Sequence, residues 1–343
     1  MPALMDAREA ELHSYAVGVT GMDADAASWE PVAGDASARR YFRLAAQQRS
    51  VICADAPPAT EKNTEFVAVQ ALLADAGLPV PALLGHDLAR GFLVLEDFGH
   101  RHLQDELDPA HPPADYLGAL DLLAKIQSVD VSAAGLPAYD AALLGEELGR
   151  FPEWFCGAYL GLELEPAETA LVDRLGRALV TVAAEQPQVL VYRDYMCRNL
   201  LLKPDGGLGL IDFQDAVVGP LCYDLASLLK DCYLCWPPQQ VQRWALDYRQ
   251  ALLAAGRPAG DSDATFLRWF DWIGLQRHIK VLGNFTRLAL RDGKPGYLGD
   301  IPLVLHYVRE VLPRYPEFAD FAAWWQGRIE PAVAGIDWQG AAS

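Results

Sequence analysis

The sequence predicts an α+β fold in two parts: a small β-rich lobe over residues 1–98 and a larger, mainly helical lobe over 99–343. Three observations predict it. Short runs of β-branched and aromatic residues, bounded by turn residues, crowd the first hundred positions. After Gly99 the apolar residues recur at helical spacing instead. The chain of 343 residues is 52% hydrophobic, enough for a sizeable core in each part. The formal net charge of −18 speaks against long-range attraction to nucleic acid or anionic lipid. No apolar run approaches the roughly 18 residues of a membrane-spanning helix. The start, MPALMDAREAELHSYA, has early acids and no apolar core of signal-peptide type, so the expectation is a cytoplasmic protein. A monomer is the expected state, though no motif fixes it.

SWEPVAG, RRYFRL and SVICAD read as the first strands. EFVAVQALLADAG follows as an amphipathic helix, with Phe66, Val69, Gln70 and Leu73 on one face and Gly77 at its end. LPVPALLGHD and GFLVLEDFG form a hairpin turning near LARG, and the lobe closes at LEDFGH. Beyond it, DYLGALDLLAKIQSV and AETALVDRLGRALVTVAAEQ are helices by their leucine spacing. Two strand-like runs, QVLVYRDYMCRNLLL and LGLIDFQDAV, flank the turn KPDGG, and the tail from about 240 is again helix-rich. Six cysteines are scattered; the CYLC pair, Cys232 and Cys235, sits in a run that reads as apolar helix with no partner set to complete a zinc site. The expectation is core cysteine.

The chemistry concentrates in VYRDYMCRNLLL and IDF. Asp194, Asn199 five residues later and Asp212 thirteen beyond that lie between apolar runs joined by a short turn. Phosphoryl transfer is mostly positioning and charge neutralisation. Magnesium takes hard oxygen ligands, which Asn199 and Asp212 supply, and Asp194 can accept or aim a hydroxyl proton. GDAS, residues Gly34, Asp35, Ala36 and Ser37, is the candidate nucleotide loop, short enough for backbone N–H groups to approach phosphates.

On these motifs the sequence resembles the aminoglycoside phosphotransferase and choline kinase superfamily, with its HxDxxxxN loop and metal-binding IDF. The resemblance implies a protein-kinase-like two-lobed fold, Asp194 as catalytic base, and Asn199 and Asp212 as Mg²⁺ ligands. It further implies adenine contacts from the hinge at Glu96, Asp97 and Phe98. In GPLCYDLASLLKD it marks Asp224 as a structural acid that pins the catalytic loop. A closer resemblance runs through GDASARRYFRL, DAPP, GLIDFQDAVVGP, QRHIKVLGNFTRLALRDGKPGYL and DIPLVLHYV. These blocks are similar to bacterial anomeric N-acetylmuramate/N-acetylglucosamine kinases of peptidoglycan recycling. That implies ATP-dependent phosphorylation of a small amino sugar at its C1 hydroxyl.

Three departures stand out. The loop histidine of the superfamily is Tyr192 here. Met196 and Cys197 stand where the family often has small polar residues, and with Tyr195 these positions could face the sugar. The third strand, VICADAPP, lacks the usual lysine. Glu65 remains a candidate helix partner, and an arginine of ARRYFR (Arg39, Arg40 or Arg43) is the candidate replacement cation, with Arg43 favoured. Arg277, His278 and Lys280 of QRHIK are candidate sugar contacts, arginine being suited to a lactyl carboxylate; the pattern equally suits a charged helix face beside an aromatic core. Two rivals stand: the same chemistry on an aminoglycoside, choline or other small alcohol, and a kinase-like protein that binds nucleotide without turnover.

Overall fold

The computed structural model describes residues 5–32, 39–108 and 114–342. In chain order its main elements are α1 (Ala7–Thr20), β1 (Ser28–Val32), β2 (Arg40–Ala46), β3 (Arg49–Asp55), α2 (Asn63–Asp75), β4 (Leu83–Asp87) and β5 (Phe92–Glu96). Then come α3 (Ala114–Ile126), α4 (Ala141–Arg150), α5 (Pro166–Glu185), β6 (Gln188–Val191), β7 (Leu200–Leu202), β8 (Leu208–Leu210) and β9 (Val217–Pro220). The chain continues through α6 (Tyr223–Leu229), α7 (Pro238–Ala254), α8 (Asp263–Asp292) and α9 (Ile301–Val311) to shorter turns of helix. Two compact units emerge. One takes in residues 1–107, 113–119 and 197–216; the other takes in 108–112, 120–196 and 217–343.

The first unit is built on a five-stranded antiparallel sheet in the order β1-β2-β3-β5-β4. Alternation puts Phe42, Leu44, Val51, Cys53, Phe92 and Val94 into one core. Helix α1 covers that core with Leu12 and Ala16, one turn apart. The sequence reading did not single out this helix, although Asp6 caps it by accepting the Glu9 N–H at 2.8 Å. Helix α2 buries Phe66, Val69, Gln70 and Leu73 as its periodicity requires. It ends with Gly77 at φ +72° and the Leu78 N–H returned to the Leu73 carbonyl at 3.0 Å. The β4–β5 turn needs Gly91: its φ is +74°, and a Cβ there would sit 1.9 Å from the Ala56 carbonyl oxygen. The β7–β8 hairpin also belongs to this unit and carries the IDF motif at its end.

The second unit is helical around α8, a 30-residue helix. Ser262 caps its start by accepting the Thr265 N–H, and Gly293 closes it at φ +66°. It is buried from Trp269 to Gly283 without a break, because α4, α5, α6, α7 and α9 all pack on it. Strands β6 and β9 pair antiparallel beside this bundle, Val189 opposite Gly219 and Val191 opposite Val217. Among the described residues no helix is long and apolar enough to cross a membrane. The CYLC run departs from the expectation. Helix α6 ends at Leu229, so both cysteines lie in the following loop, Cys232 buried and Cys235 exposed. Pro237 and Pro238 lie just beyond, where α7 begins, and a helix running through from α6 would meet them in its interior.

Candidate active site

In the second unit the chain leaves β6 at Val191 and turns immediately. Asp224, on the first turn of α6 and wholly buried, accepts the Tyr192 N–H at 2.6 Å and the Arg193 N–H at 3.0 Å. These are donors that the sheet no longer satisfies. Burial pushes the Asp224 carboxyl up to about 7, against the pull of the two amides. Arg193 adopts φ +76°, a conformation costing a non-glycine residue about 1–3 kcal/mol. The loop is therefore pinned by a side chain from another element, and Asp194 is the next residue out, half-buried. Tyr192 is fully buried and meets the Tyr195 ring edge-on at 5.6 Å. Tyrosine thus takes the histidine position as a packing residue, and the Tyr195 ring is in the core with it.

A buried ionic cluster stands behind Arg193. Glu147 of α4 is 0% exposed and accepts from Arg193 Nη2 at 2.6 Å, from Lys280 Nζ at 2.9 Å and from the Tyr139 hydroxyl. Lys280 also reaches the Tyr223 hydroxyl at 3.0 Å. Burial raises the Glu147 carboxyl, but Lys280 and Arg193 outweigh it and hold the group below the usual glutamate range. Burial likewise works against the Lys280 charge, while Tyr223 and Glu147 raise its pKa. The sequence reading missed Glu147. Its signal was an acid sharing the helix face of Leu144 and Leu148, the buried stripe of α4.

Of the residues expected to meet sugar, Arg277 is 3% exposed, and its Nη1 has no hydrogen-bond partner among the described residues. Burial opposes its charge, while Cys232, Tyr223, Asp231 and Asp194 sustain it. His278 is fully buried with Nε2 3.1 Å from the Lys230 carbonyl, and its ring stacks on Tyr307 at 4.8 Å. Burial and the neighbouring Arg277 push its pKa well below the histidine range, so it is neutral. Met196 and Cys197 are buried as well.

In the first unit the IDF turn and the start of β7 come together, with the Ile211 N–H donating to the Asn199 carbonyl at 3.2 Å. Asn199 is 9% exposed; Asp212 is exposed and held at φ +67°, with its Oδ1 accepting from Gln214 Nε2 at 2.8 Å. Phe213 turns inward against Phe66 of α2 at 4.9 Å. Two non-glycine residues in left-handed backbone, Arg193 and Asp212, thus flank the two motifs, a pattern typical of functional sites. The residues of the DxxxxN and IDF motifs divide between the units: Asp194 in the second, Asn199 and Asp212 in the first.

The GDAS loop, Gly34 to Ser37, lies outside the described residues. At the expected hinge, Glu96 donates its N–H to the Ala82 carbonyl at 2.9 Å, and its carboxylate accepts the Ala82 N–H at 3.1 Å. Phe98 is buried against Gly209 of β8, where a Cβ would come 2.4 Å from the ring. Each arginine of ARRYFR has a distinct engagement. Arg43 forms a two-point pair with Asp97 at 2.6 and 3.1 Å and donates to the Gly99 carbonyl. Arg40 bridges Asp55 and Asp6. Arg39 is 4% exposed, 3.3 Å from Glu61 and 5.2 Å over the Phe66 ring. Burial raises the pKa of the Tyr41 hydroxyl, which Arg39 opposes and Asp212 reinforces. Glu65 is exposed, and Glu61 is the acid paired with an arginine here.

Residues 28–262 match the phosphotransferase enzyme family. An N-acetylmuramate/N-acetylglucosamine kinase of Pseudomonas aeruginosa is 45% identical over 290 residues, 84% of this chain and 85% of its own length. The kinase of the same name from Pseudomonas putida is 43% identical, over 86% of each chain. Among solved structures, an ethanolamine kinase of Plasmodium vivax superposes with a TM-score of 0.65 at 10% identity, covering 93% of each chain, a likeness of fold.

Proposed function

Because the chain belongs to the phosphotransferase enzyme family, we propose that it phosphorylates the anomeric C1 hydroxyl of N-acetylmuramate, N-acetylglucosamine or both, with ATP as donor. The observation that carries the reading is the Asp194 loop, held in left-handed backbone by the buried carboxylate of Asp224. The 45% identity to the Pseudomonas aeruginosa kinase supports the choice of amino sugar over other alcohols.

In this reading Asp194 accepts the proton of the sugar hydroxyl as its oxygen bonds to the γ-phosphorus and the bond to the β–γ bridging oxygen breaks. An amide oxygen from Asn199 and a carboxylate from Asp212 are the hard donors Mg²⁺ prefers, and we assign them as its ligands. When bound, the ion neutralises charge developing on the phosphates. The lobe 1–98 takes the nucleotide, with GDAS over the phosphates and the backbone of Glu96, Asp97 and Phe98 at the adenine; the lobe 99–343 takes the sugar. Arg39 is the better candidate than Arg43 for the missing lysine, since Arg43 is committed to Asp97 while Arg39 pairs with Glu61 just ahead of α2. Arg277, whose Nη1 has no hydrogen-bond partner among the described residues, is the preferred sugar contact; Lys280 is engaged by Glu147 and Tyr223, and Tyr195 and His278 are held in the core by their ring contacts. The enzyme acts in the cytoplasm as a monomer.

The test is incubation with ATP, Mg²⁺ and a panel of amino sugars, aminoglycosides and choline, followed by phosphorus NMR. A sugar 1-phosphate supports the reading. Phosphorylation confined to another acceptor moves the enzyme to that substrate, and no turnover on any acceptor leaves a nucleotide-binding protein.

A further inference from the structure

We propose that Glu147 is a positioning residue for Asp194, acting through Arg193. The inference rests on the phosphoryl-transfer reading of Asp194. A carboxylate with no solvent contact persists ionised only where charge and hydrogen bonds compensate it. Glu147 meets that condition through Arg193 at 2.6 Å, Lys280 at 2.9 Å and the Tyr139 hydroxyl. Arg193 is the part of this cluster that bears on chemistry. Its backbone immediately precedes Asp194 and is left-handed, with its N–H on Asp224 and its side chain on Glu147. Main chain and side chain are thus anchored to two different helices, α6 and α4, which leaves the peptide before Asp194 little freedom to rotate. The guanidinium also lies 5.4 Å over the Tyr139 ring, and Tyr139 packs edge-on to Tyr223 at 4.9 Å, so the anchor is itself walled in. Kinase activation loops can be ordered by an added phosphate that pairs with an arginine. Here the negative charge paired with the arginine is a glutamate of the fold itself, Glu147.

Three variants test this. Glu147→Gln keeps the shape and removes the charge; Arg193→Met removes the linking cation while leaving Glu147 neutralised by Lys280. Glu146→Gln, on the same helix, breaks an exposed pair with Arg150 at 3.0 Å and serves as the control. Glu147→Gln and Arg193→Met should each lower kcat roughly 10- to 100-fold with the KM for ATP within about twofold of wild type. Hydrogen exchange of the Tyr192 and Arg193 amides should accelerate in both and stay unchanged in Glu146→Gln. Should Glu147→Gln not fold, Arg193→Met carries the same readings. Wild-type kcat and unchanged exchange in Arg193→Met would overturn the inference, as would an equal loss in Glu146→Gln. A wild-type enzyme inactive on every acceptor counts against the functional reading, while the exchange measurement still decides the positioning role.

Discussion

Asp224 accepts the Tyr192 N–H at 2.6 Å across 32 positions of sequence, and with the Arg193 N–H it takes both amides at the point where β6 ends. One buried carboxylate thus sets the backbone leading to Asp194. Both interactions favour an ionised acceptor, while burial raises its pKa to about 7. Turnover should therefore fall as pH drops through about 7, because protonation places a hydrogen where an amide N–H already points. Stability should move the other way. The fold holds the proton more tightly than an unfolded aspartate with pKa about 3.9, so this group's contribution is complete below that value and is lost as pH rises to about 7. Rate and melting profiles of the wild type against Asp224→Asn, which should be flat and slow over this window, check both signs.

Asp194→Asn should lower kcat by about 10²- to 10⁴-fold and leave the KM for ATP nearly unchanged, since the loss concerns the acceptor proton alone. Steady-state kinetics with ATP and sugar varied separately decide it. Retained kcat would remove Asp194 from the mechanism.

Arg39→Ala and Arg43→Ala should fail in different ways. Loss of Arg39 should raise the KM for ATP about tenfold or more, because the cation proposed for the phosphates is gone and the Glu61 charge it offsets remains. Loss of Arg43 leaves Asp97, 3% exposed at its side chain, without its bidentate partner and should cost about 3 kcal/mol in urea unfolding. Burial raises the Asp97 carboxyl, yet Arg43 and the Gly99 amide bring it below the ordinary range. Its stabilisation is present above the unfolded value of about 3.9 and lost as pH falls through the depressed one. The acid-unfolding midpoint of Arg43→Ala should accordingly move to higher pH.

Gly209→Ala places a Cβ 2.4 Å from Cδ2 of Phe98. Phe98 must shift or β8 must bend, at about 1–3 kcal/mol. A lowered melting temperature together with weaker nucleotide binding would tie Phe98 to the hairpin that carries Asp212. Unaltered binding would confine Phe98 to packing.

Local pattern was enough to read much of this protein. Phe66, Val69, Gln70 and Leu73 face inward on α2 because 3.6-residue periodicity acts within one helix, and Gly77 closes it because only a residue tolerant of positive φ ends a helix that way. The DxxxxN and IDF motifs were legible because their spacing is short. The CYLC run was misread as helix because apolar composition outweighed the prolines at 237 and 238. Other relationships are invisible to periodicity. Glu147 lies 46 positions from Arg193, and Asp224 lies 31, separations at which only packing decides which charges meet. The choice among Arg39, Arg40 and Arg43 is of the same kind: three neighbouring cations on one sequence stretch acquire Glu61, Asp55 and Asp97 as partners. Sequence by itself determined which residue types and local elements are available for phosphoryl transfer. Tertiary structure decided which charges are buried together, because a buried ion must find its counter-ion in space and chain order does not record where that is.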